Sequence, residues 1–281
     1  MKRLLDKSSK GRFAYYVCKA ETESRKEKNM NFPNSNQNPS GSQHPLSNGG
    51  NPFGSSTLNV PVSQLGTEAR LDFIRKTYSL FMAGILVALL VGWATLNIDP
   101  VMNAAFALRG NLLISVFLLF GLSIGAQAVS RVPVLNLVAM FAFTGFVGFF
   151  LTPLLYTYDT VFPGLVTQAA ALTTITFGSL TAYAFISKKD FSFMGGILFV
   201  AFAALILGGV ANIFFFKSAM ASYLMAWVGL VIFSGYVLYD TSNIMRTHDS
   251  NSYVSAALGL FINFVNMFLA ILRILAGGRR N

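Results

Sequence analysis

Long apolar runs dominate this chain of 281 residues and make lipid its main solvent. A helix needs about 20 mostly apolar residues to cross about 30 Å of hydrocarbon. Seven runs approach or exceed that length: 78–97, 112–130, 134–155, 165–186, 194–216, 222–240 and 255–275. Only 11% of the residues are charged, against roughly 25% in soluble domains. The sequence therefore predicts an all-α membrane protein, with a bundle of seven transmembrane helices over residues 68–277.

The chain before the first run divides into two parts. Residues 1–29 are basic and lack the apolar core of about 7 to 15 residues that a secretory signal requires. Residues 30–67 are rich in Asn, Ser, Gly and Pro, a composition that predicts a disordered cytoplasmic tail. The abrupt change suggests that translation starts at Met30 and that residues 1–29 are over-extended or dispensable. The intact mass of the native protein would test this hypothesis.

The distribution of Lys and Arg predicts a cytoplasmic amino terminus, because cytoplasmic loops carry an excess of these residues. With that orientation, the basic residues on the inner side are Arg70, Arg75, Lys76, Arg131, Lys188, Lys189 and Arg246. Those on the outer side are Arg109, Lys217, Arg279 and Arg280. The pair Arg279 and Arg280 leaves two alternatives. Either the basic carboxyl-terminal end lies on the outer side, or the last run enters the bundle and returns.

Several function classes lack the residues that they need. The net charge of +10 is spread over the tail and the loops, so we expect no nucleic-acid binding. Cys18 is the single cysteine and cannot form an internal disulfide. The histidines, His44 and His248, lie outside the apolar runs, which argues against Ser/His and HExxH membrane proteases. We expect neither enzymatic activity nor a cofactor.

Asp240 is the only acidic residue inside any of the seven runs. An ionised carboxylate in hydrocarbon is costly, so it is usually paired, protonated or hydrated. A single acid cannot form the dyad of an aspartyl protease. The polar residues that join it as candidates for a pH latch or an ion path are Asn212, Asn263 and Asn266.

Two interpretations of Asp240 remain open. It forms a proton-sensitive latch, or it is a helix-end aspartate bonded to Ser242 or Asn243 in interfacial water. For the asparagines, structural hydrogen bonds between helices are the simpler alternative.

Small residues mark where helices approach one another, since in lipid they allow close backbone contact. The candidates are Gly121 and Gly125 in a GxxxG pattern, Gly145 and Gly148, Gly195 and Gly196, and Gly208 and Gly209. The pattern predicts helix packing. A hinge at Gly208 and Gly209 is the alternative.

Four blocks resemble one known family. They are Tyr239-Asp240-Thr241 with Asn243-Ile244, residues 142–148 with Pro153, residues 189–196, and residues 209–214. In this order and spacing, they are similar to the transmembrane Bax-inhibitor-motif family, in particular its bacterial YccA-like branch. The resemblance covers nearly all of residues 70–275.

The resemblance implies six helices around a central hydrophobic one, in a bacterial inner membrane. In channel-like members, an Asp in the sixth helix pairs with an Asp in the seventh to form a pH-responsive latch over a calcium leak. Asp240 matches the first acid, but the second position is Asn263. An Asp–Asn pair lacks the repulsion of two carboxylates, which disfavours a two-proton latch.

The YccA-like branch is associated with the membrane AAA protease FtsH, as a poorly degraded substrate that occupies it. The resemblance therefore implies FtsH as a partner. The alternatives are a calcium or proton leak channel that uses Asp240, and a scaffold for other membrane proteins.

Overall fold

The computed structural model describes residues 61–62, 66–129, 132, 134–187, 189–246, 248–249 and 252–279. The predictions for residues 1–29, and for the tail up to residue 60, lie outside the described residues. Within the described ranges the chain forms eight α-helices: α1 Thr67–Asn97, α2 Asp99–Gly110, α3 Leu112–Ala128, α4 Leu135–Val161, α5 Leu165–Ser187, α6 Gly195–Ala211, α7 Ala219–Arg246 and α8 Tyr253–Gly278. A π-helical turn, Asn212–Phe216, continues α6.

Six segments of the described chain are long and apolar enough to cross a membrane: Thr67–Asn97, Leu135–Val161, Leu165–Ser187, Ser192–Phe216, Ala219–Arg246 and Tyr253–Gly278. The predicted count of seven spans is therefore not confirmed. The second predicted span, 112–130, corresponds to α3, which has only 17 residues. It is preceded by α2, a helix of 12 residues that the sequence analysis did not predict. Pro100 near the start of α2 and Gly110 at its end are typical of helix boundaries.

Contacts between helices fix their directions. Gly84 and Gly92 of α1 face Thr144 and Thr152 of α4, so these two helices run parallel. Asp240 of α7 faces Gly259 of α8. At one end of the bundle, α1, α4 and α8 begin and α5 and α7 terminate. We call this the Asp240 end. The other end is the Arg279 end.

Helix α8 runs without interruption from one end of the bundle to the other. At its start, Ser255 Oγ donates to Gln127 Oε1 of α3 at 2.8 Å. Beyond its last residue, Arg279 Nη2 donates to Gln168 Oε1, at the start of α5, at 2.9 Å. The alternative in which the last run enters the bundle and returns is therefore wrong.

The same helix occupies the centre of the bundle. It packs against α1, α4, α5 and α7. Its fully buried side chains include Val254, Leu258, Leu260, Phe261, Met267 and Leu272. An apolar helix enclosed by others provides a rigid centre that positions the side chains of α7 around it.

The chain just before α1 is attached to the Asp240 end. The amide of Val62 donates to the carbonyl of His248, in the link between α7 and α8, at 2.9 Å. Pro61 and Asp249 form an isolated antiparallel bridge beside it. The side chain of Val62 is fully buried. This contact, which we call the Val62 clip, joins residues distant in sequence.

Candidate functional site

Four consecutive residues near the end of α7 each contact a different element. Tyr239 lies over Gly195, at the start of α6, and Asp240 is bonded to Asn263 of α8. The Thr241 hydroxyl lies 3.4 Å from the hydroxyl of Tyr78 in α1. Ser242 Oγ accepts from the amide of Phe191, before α6, at 3.1 Å. Because successive side chains of a helix project about 100° apart, four neighbours can reach four partners.

The Asp240–Asn263 pair is the centre of this site. Asn263 Nδ2 donates to Asp240 Oδ2 at 2.5 Å. Asn263 is 6% exposed, and a Cβ on Gly259 would lie 3.4 Å from the same carboxylate oxygen. The absence of a side chain at Gly259 thus gives the carboxylate room to reach the amide. The structure shows the Asp240 carboxylate bonded to Asn263, while Ser242 Oγ accepts from the amide of Phe191.

Asp240 lies deeper in its helix than the predicted span end implied. Helix α7 continues for six residues beyond it, to Arg246. At 1.5 Å per residue this places Asp240 about 9 Å from the helix end. Its side chain is partly exposed rather than fully buried. The Asp240 side chain therefore lies within the bundle, near the end at which α7 terminates.

The two remaining asparagines do not join this pair. Asn266 is partly exposed, and its side chain makes no hydrogen bond with any described residue. Asn212 lies near the start of α7, at the Arg279 end. Its Nδ2 donates to the Ser222 hydroxyl at 2.7 Å and to the Ser218 carbonyl at 3.1 Å. Its Oδ1 accepts from the Ser218 amide, so Asn212 stabilises the connection between α6 and α7 and lies far from Asp240.

The predicted packing glycines fall into two groups. A side chain at Gly145, Gly148, Gly195 or Gly208 would contact a neighbouring helix, and at Gly148 it would collide with the backbone of Ala88. A Cβ at Gly121, Gly125, Gly196 or Gly209 would meet nothing within 4 Å. The GxxxG pattern in α3 thus faces outward from the described bundle. Any packing role for it requires a partner outside the described residues.

A cavity of about 480 Å³ lies on the other side of α8 from Asp240. It is lined by α1, α4, α5 and α8, and its lining includes Phe261 and Phe264. Asn263 lies between these two in sequence but faces α7. Phe264 also packs with Phe81 and Phe177, with ring centroids 5.2 to 5.8 Å apart. This cavity is not predictable from the sequence, since its walls are ordinary apolar residues.

The Val62 clip contains two titratable groups in the link between α7 and α8, His248 and Asp249. Of these, His248 contacts Ser252 and Phe73. Its Nδ1 lies 3.1 Å from the Ser252 hydroxyl, and its ring centroid is 6.3 Å from that of Phe73. Burial lowers the pKa of His248 below its usual value, and the nearby charge of Asp249 partly opposes this. The sequence analysis identified His248 only as a loop histidine.

Sequence reasoning found Asp240, Asn263 and the segment Tyr239–Thr241. It missed Tyr78 and Gly259, which complete the surroundings of that segment. An aromatic residue at the start of a span and a lone glycine in the last run carry no individual signal. Their roles depend on which helices are neighbours.

Among the described residues, no three His, Cys, Asp or Glu side chains group together in a way that could hold a metal ion. The arrangement around Asp240 offers one carboxylate, one amide and hydroxyl groups. Such a set can exchange hydrogen bonds and accept a proton.

Comparison with known proteins identifies the family. The family described as inhibitor of apoptosis-promoting Bax1 matches residues 70–281. Bax inhibitor 1 of Schizosaccharomyces pombe is 33% identical over 77% of this chain and 80% of that protein. Protein lifeguard 4 of Mus musculus is 32% identical over 76% of this chain and 88% of that protein. The protein named modulator of FtsH protease YccA, from Escherichia coli, is 35% identical over 52% of this chain and 66% of that protein. The chain therefore belongs to the Bax inhibitor-1 family of multi-pass membrane proteins.

Proposed function

We propose that this protein is a regulator in a bacterial inner membrane that binds the protease FtsH and occupies it as a poorly degraded substrate. The observation that carries this proposal is the 35% identity to YccA over 147 residues. Regulation by occupancy needs no catalytic group. It needs a segment that the protease can grip and a folded body that resists unfolding.

The resistant body in this proposal is the helical bundle. A central apolar helix, α8, packs against α1, α4, α5 and α7, so extracting any one of them exposes the others. The Val62 clip adds a contact just where the preceding chain meets the bundle. A pull on the tail acts first on this buried valine and its hydrogen bond to His248.

The proposed grip is the tail, residues 30–60, whose composition is that of an unfolded segment. The residues that follow it, Pro61 and Val62, contact the Asp240 end, where α1 begins and carries the basic residues Arg70, Arg75 and Lys76. An excess of basic residues favours the cytoplasmic side, where we place this end.

Truncation tests the grip. Deleting residues 30–57 keeps Pro61 and Val62, so the clip stays in place. We expect the deletion to reduce co-purification with FtsH and turnover by it. A matched control carries the same residues in scrambled order and should retain both. Unchanged association in the deletion, with an unchanged unfolding temperature, would remove the proposal.

Thiol labelling tests the orientation. A Cys18→Ser, Ser55→Cys variant carries one cysteine in the tail. We expect a membrane-impermeant thiol reagent to label it only after the inner membrane is permeabilised. Labelling in intact spheroplasts would place the tail on the wrong side for this function.

The second candidate function is a pH-sensitive leak for calcium or protons. The favourable observation is that the Asp240–Asn263 pair and the 480 Å³ cavity lie on opposite faces of the same helix, α8. The cluster of Phe81, Phe177 and Phe264 closes the apolar side in this conformation. Opening would require these rings to move.

Liposome flux separates the two functions. A leak through the site predicts calcium or proton flux that disappears in Asp240→Asn and persists in Asn212→Ala, whose side chain lies at the other end. Regulation of FtsH predicts no such flux and an association that Asp240→Asn leaves intact. A scaffold for other membrane proteins predicts neither flux nor FtsH binding.

A further inference from the structure

The cavity between α1, α4, α5 and α8 has the size and lining of a binding site. Its volume, about 480 Å³, lies within the range of about 300–1,000 Å³ typical of small-molecule pockets. The deep part is lined by apolar side chains, among them Ile85, Val147, Leu151, Phe261 and Phe268. A space this large inside a bundle forfeits dispersion contacts unless something fills it.

Water is a poor occupant of the deep part. A buried water needs two to four polar partners, and apolar cavities stay dry or take up apolar molecules. The polar lining residues, Thr152, Tyr156, Asp159 and Thr167, lie towards the end of α4 and the start of α5. The hydroxyl of Thr152 already donates to the carbonyl of Gly148 at 2.7 Å. The deep part of the cavity is thus apolar, and its polar residues lie at the Arg279 end.

The cavity opens towards lipid. Leu89, Trp93 and Tyr156 line it, and they are 64%, 67% and 52% exposed. Trp and Tyr are enriched where the hydrocarbon meets the headgroups. The apolar molecule with direct access to such an opening is a membrane lipid.

Side chains of both signs lie at the Arg279 end of the bundle, with Asp159 in the cavity lining and Arg279 outside that lining. Asp159 lines the cavity and is exposed; its Oδ1 accepts from the amide of Gly164 at 3.1 Å, which leaves its other oxygen for a ligand. Arg279 is held at the start of α5 by its bond to Gln168, the residue after Thr167. An ammonium group suits the carboxylate, and a phosphate suits the guanidinium.

We propose that this cavity holds one acyl chain of a phospholipid with an ammonium headgroup, with the ammonium at Asp159 and the phosphate towards Arg279. The bound chain fills the space between α1, α4, α5 and α8. This site is independent of the proposed regulation of FtsH and of the Asp240–Asn263 pair.

Native mass spectrometry tests the occupancy. The full chain is purified in detergent, depleted of lipid and mixed with phosphatidylethanolamine. We expect one tightly bound lipid per chain. Ala170→Trp adds an indole to the cavity lining and should abolish that adduct, whereas Ala182→Trp, on the same helix but outside the lining, should retain it. An equal adduct in both variants would overturn the proposal.

A second measurement does not depend on the folding of a cavity-filling variant. The chain has two tryptophans, and only Trp93 lines the cavity. In detergent, we expect phosphatidylethanolamine with brominated chains to quench Trp93 saturably in the Trp227→Phe protein. The matched Trp93→Phe protein, which keeps Trp227, should show no saturable quenching. Equal behaviour of the two proteins would also overturn the proposal.

Headgroup preference tests the role of Asp159. Phosphatidylglycerol carries phosphate but no ammonium, so the native protein should bind it about tenfold more weakly than phosphatidylethanolamine. Asp159→Asn should remove most of this preference. If the native protein binds both lipids equally, the ammonium assignment is wrong.

Discussion

Asn263 donates a hydrogen bond to the carboxylate of Asp240 across the interface between α7 and α8. The two residues are 23 positions apart and meet because the helices are antiparallel. The Asn263 amide donates to the Asp240 carboxylate without being ionised itself. The pair therefore fixes the contact between the two helices without needing a shared proton.

Asn263→Asp should make the stability of the bundle depend on pH. Two carboxylates at this distance repel each other when both are ionised, and they can share a proton when one is not. We expect a lower unfolding temperature in mildly alkaline buffer and recovery in mildly acidic buffer. Asn266→Asp is the matched control, because Asn266 is on the same helix and does not bond to Asp240. An equal pH response in the two variants would mean that the repulsion does not arise at the pair.

Gly148→Ala should destabilise the protein by about 1–3 kcal/mol, because the added methyl collides with the backbone of Ala88, which has no flexible end to move. Gly121→Ala meets nothing within 4 Å, so we expect it to be neutral or to stabilise α3 by up to about 1 kcal/mol. Unfolding in detergent, followed by loss of helical circular dichroism, measures both. Similar stabilities for the two variants would show that α1 and α4 can separate freely.

Gly195→Ala should disturb the site through Tyr239. A Cβ at Gly195 would lie 2.8 Å from the ring, so the tyrosine must move, whereas Gly196→Ala has open space. We expect a lower unfolding temperature for the first variant only. Adding Tyr239→Ala should remove the difference, since no ring is left to collide. A Gly195→Ala effect that persists in the Tyr239→Ala background would place the strain elsewhere.

His248 should make the protein less stable in acid. Burial holds its folded-state pKa below the usual value of 6.5, so in the range between the two pKa values the unfolded chain binds a proton that the folded chain does not. Stability is then present above about pH 6.5 and is lost as the pH falls through that value towards the folded pKa. His248→Gln should flatten this part of the curve of unfolding temperature against pH. A curve identical to that of the native protein would assign the acid sensitivity to other groups.

The sequence by itself determined that lipid is the main solvent of this protein, and it determined most of the architecture. Six of the seven predicted runs became long apolar helices, because hydropathy is a local property that needs no partner. The exception was the second run, 112–130, which forms α3 with only 17 residues. The sequence also singled out Asp240, because an acid within an apolar run stands out against its neighbours.

Only the tertiary structure decided what each polar or small residue contacts. It paired Asp240 with Asn263 and placed Asn212 at the opposite end, although residue type alone made both asparagines candidates. It also separated Gly148, which touches the backbone of Ala88, from Gly121, which faces outward. The physical reason is that a contact between helices depends on their direction, depth and rotation. Those quantities follow from how all the helices pack around α8, and a local pattern does not contain them.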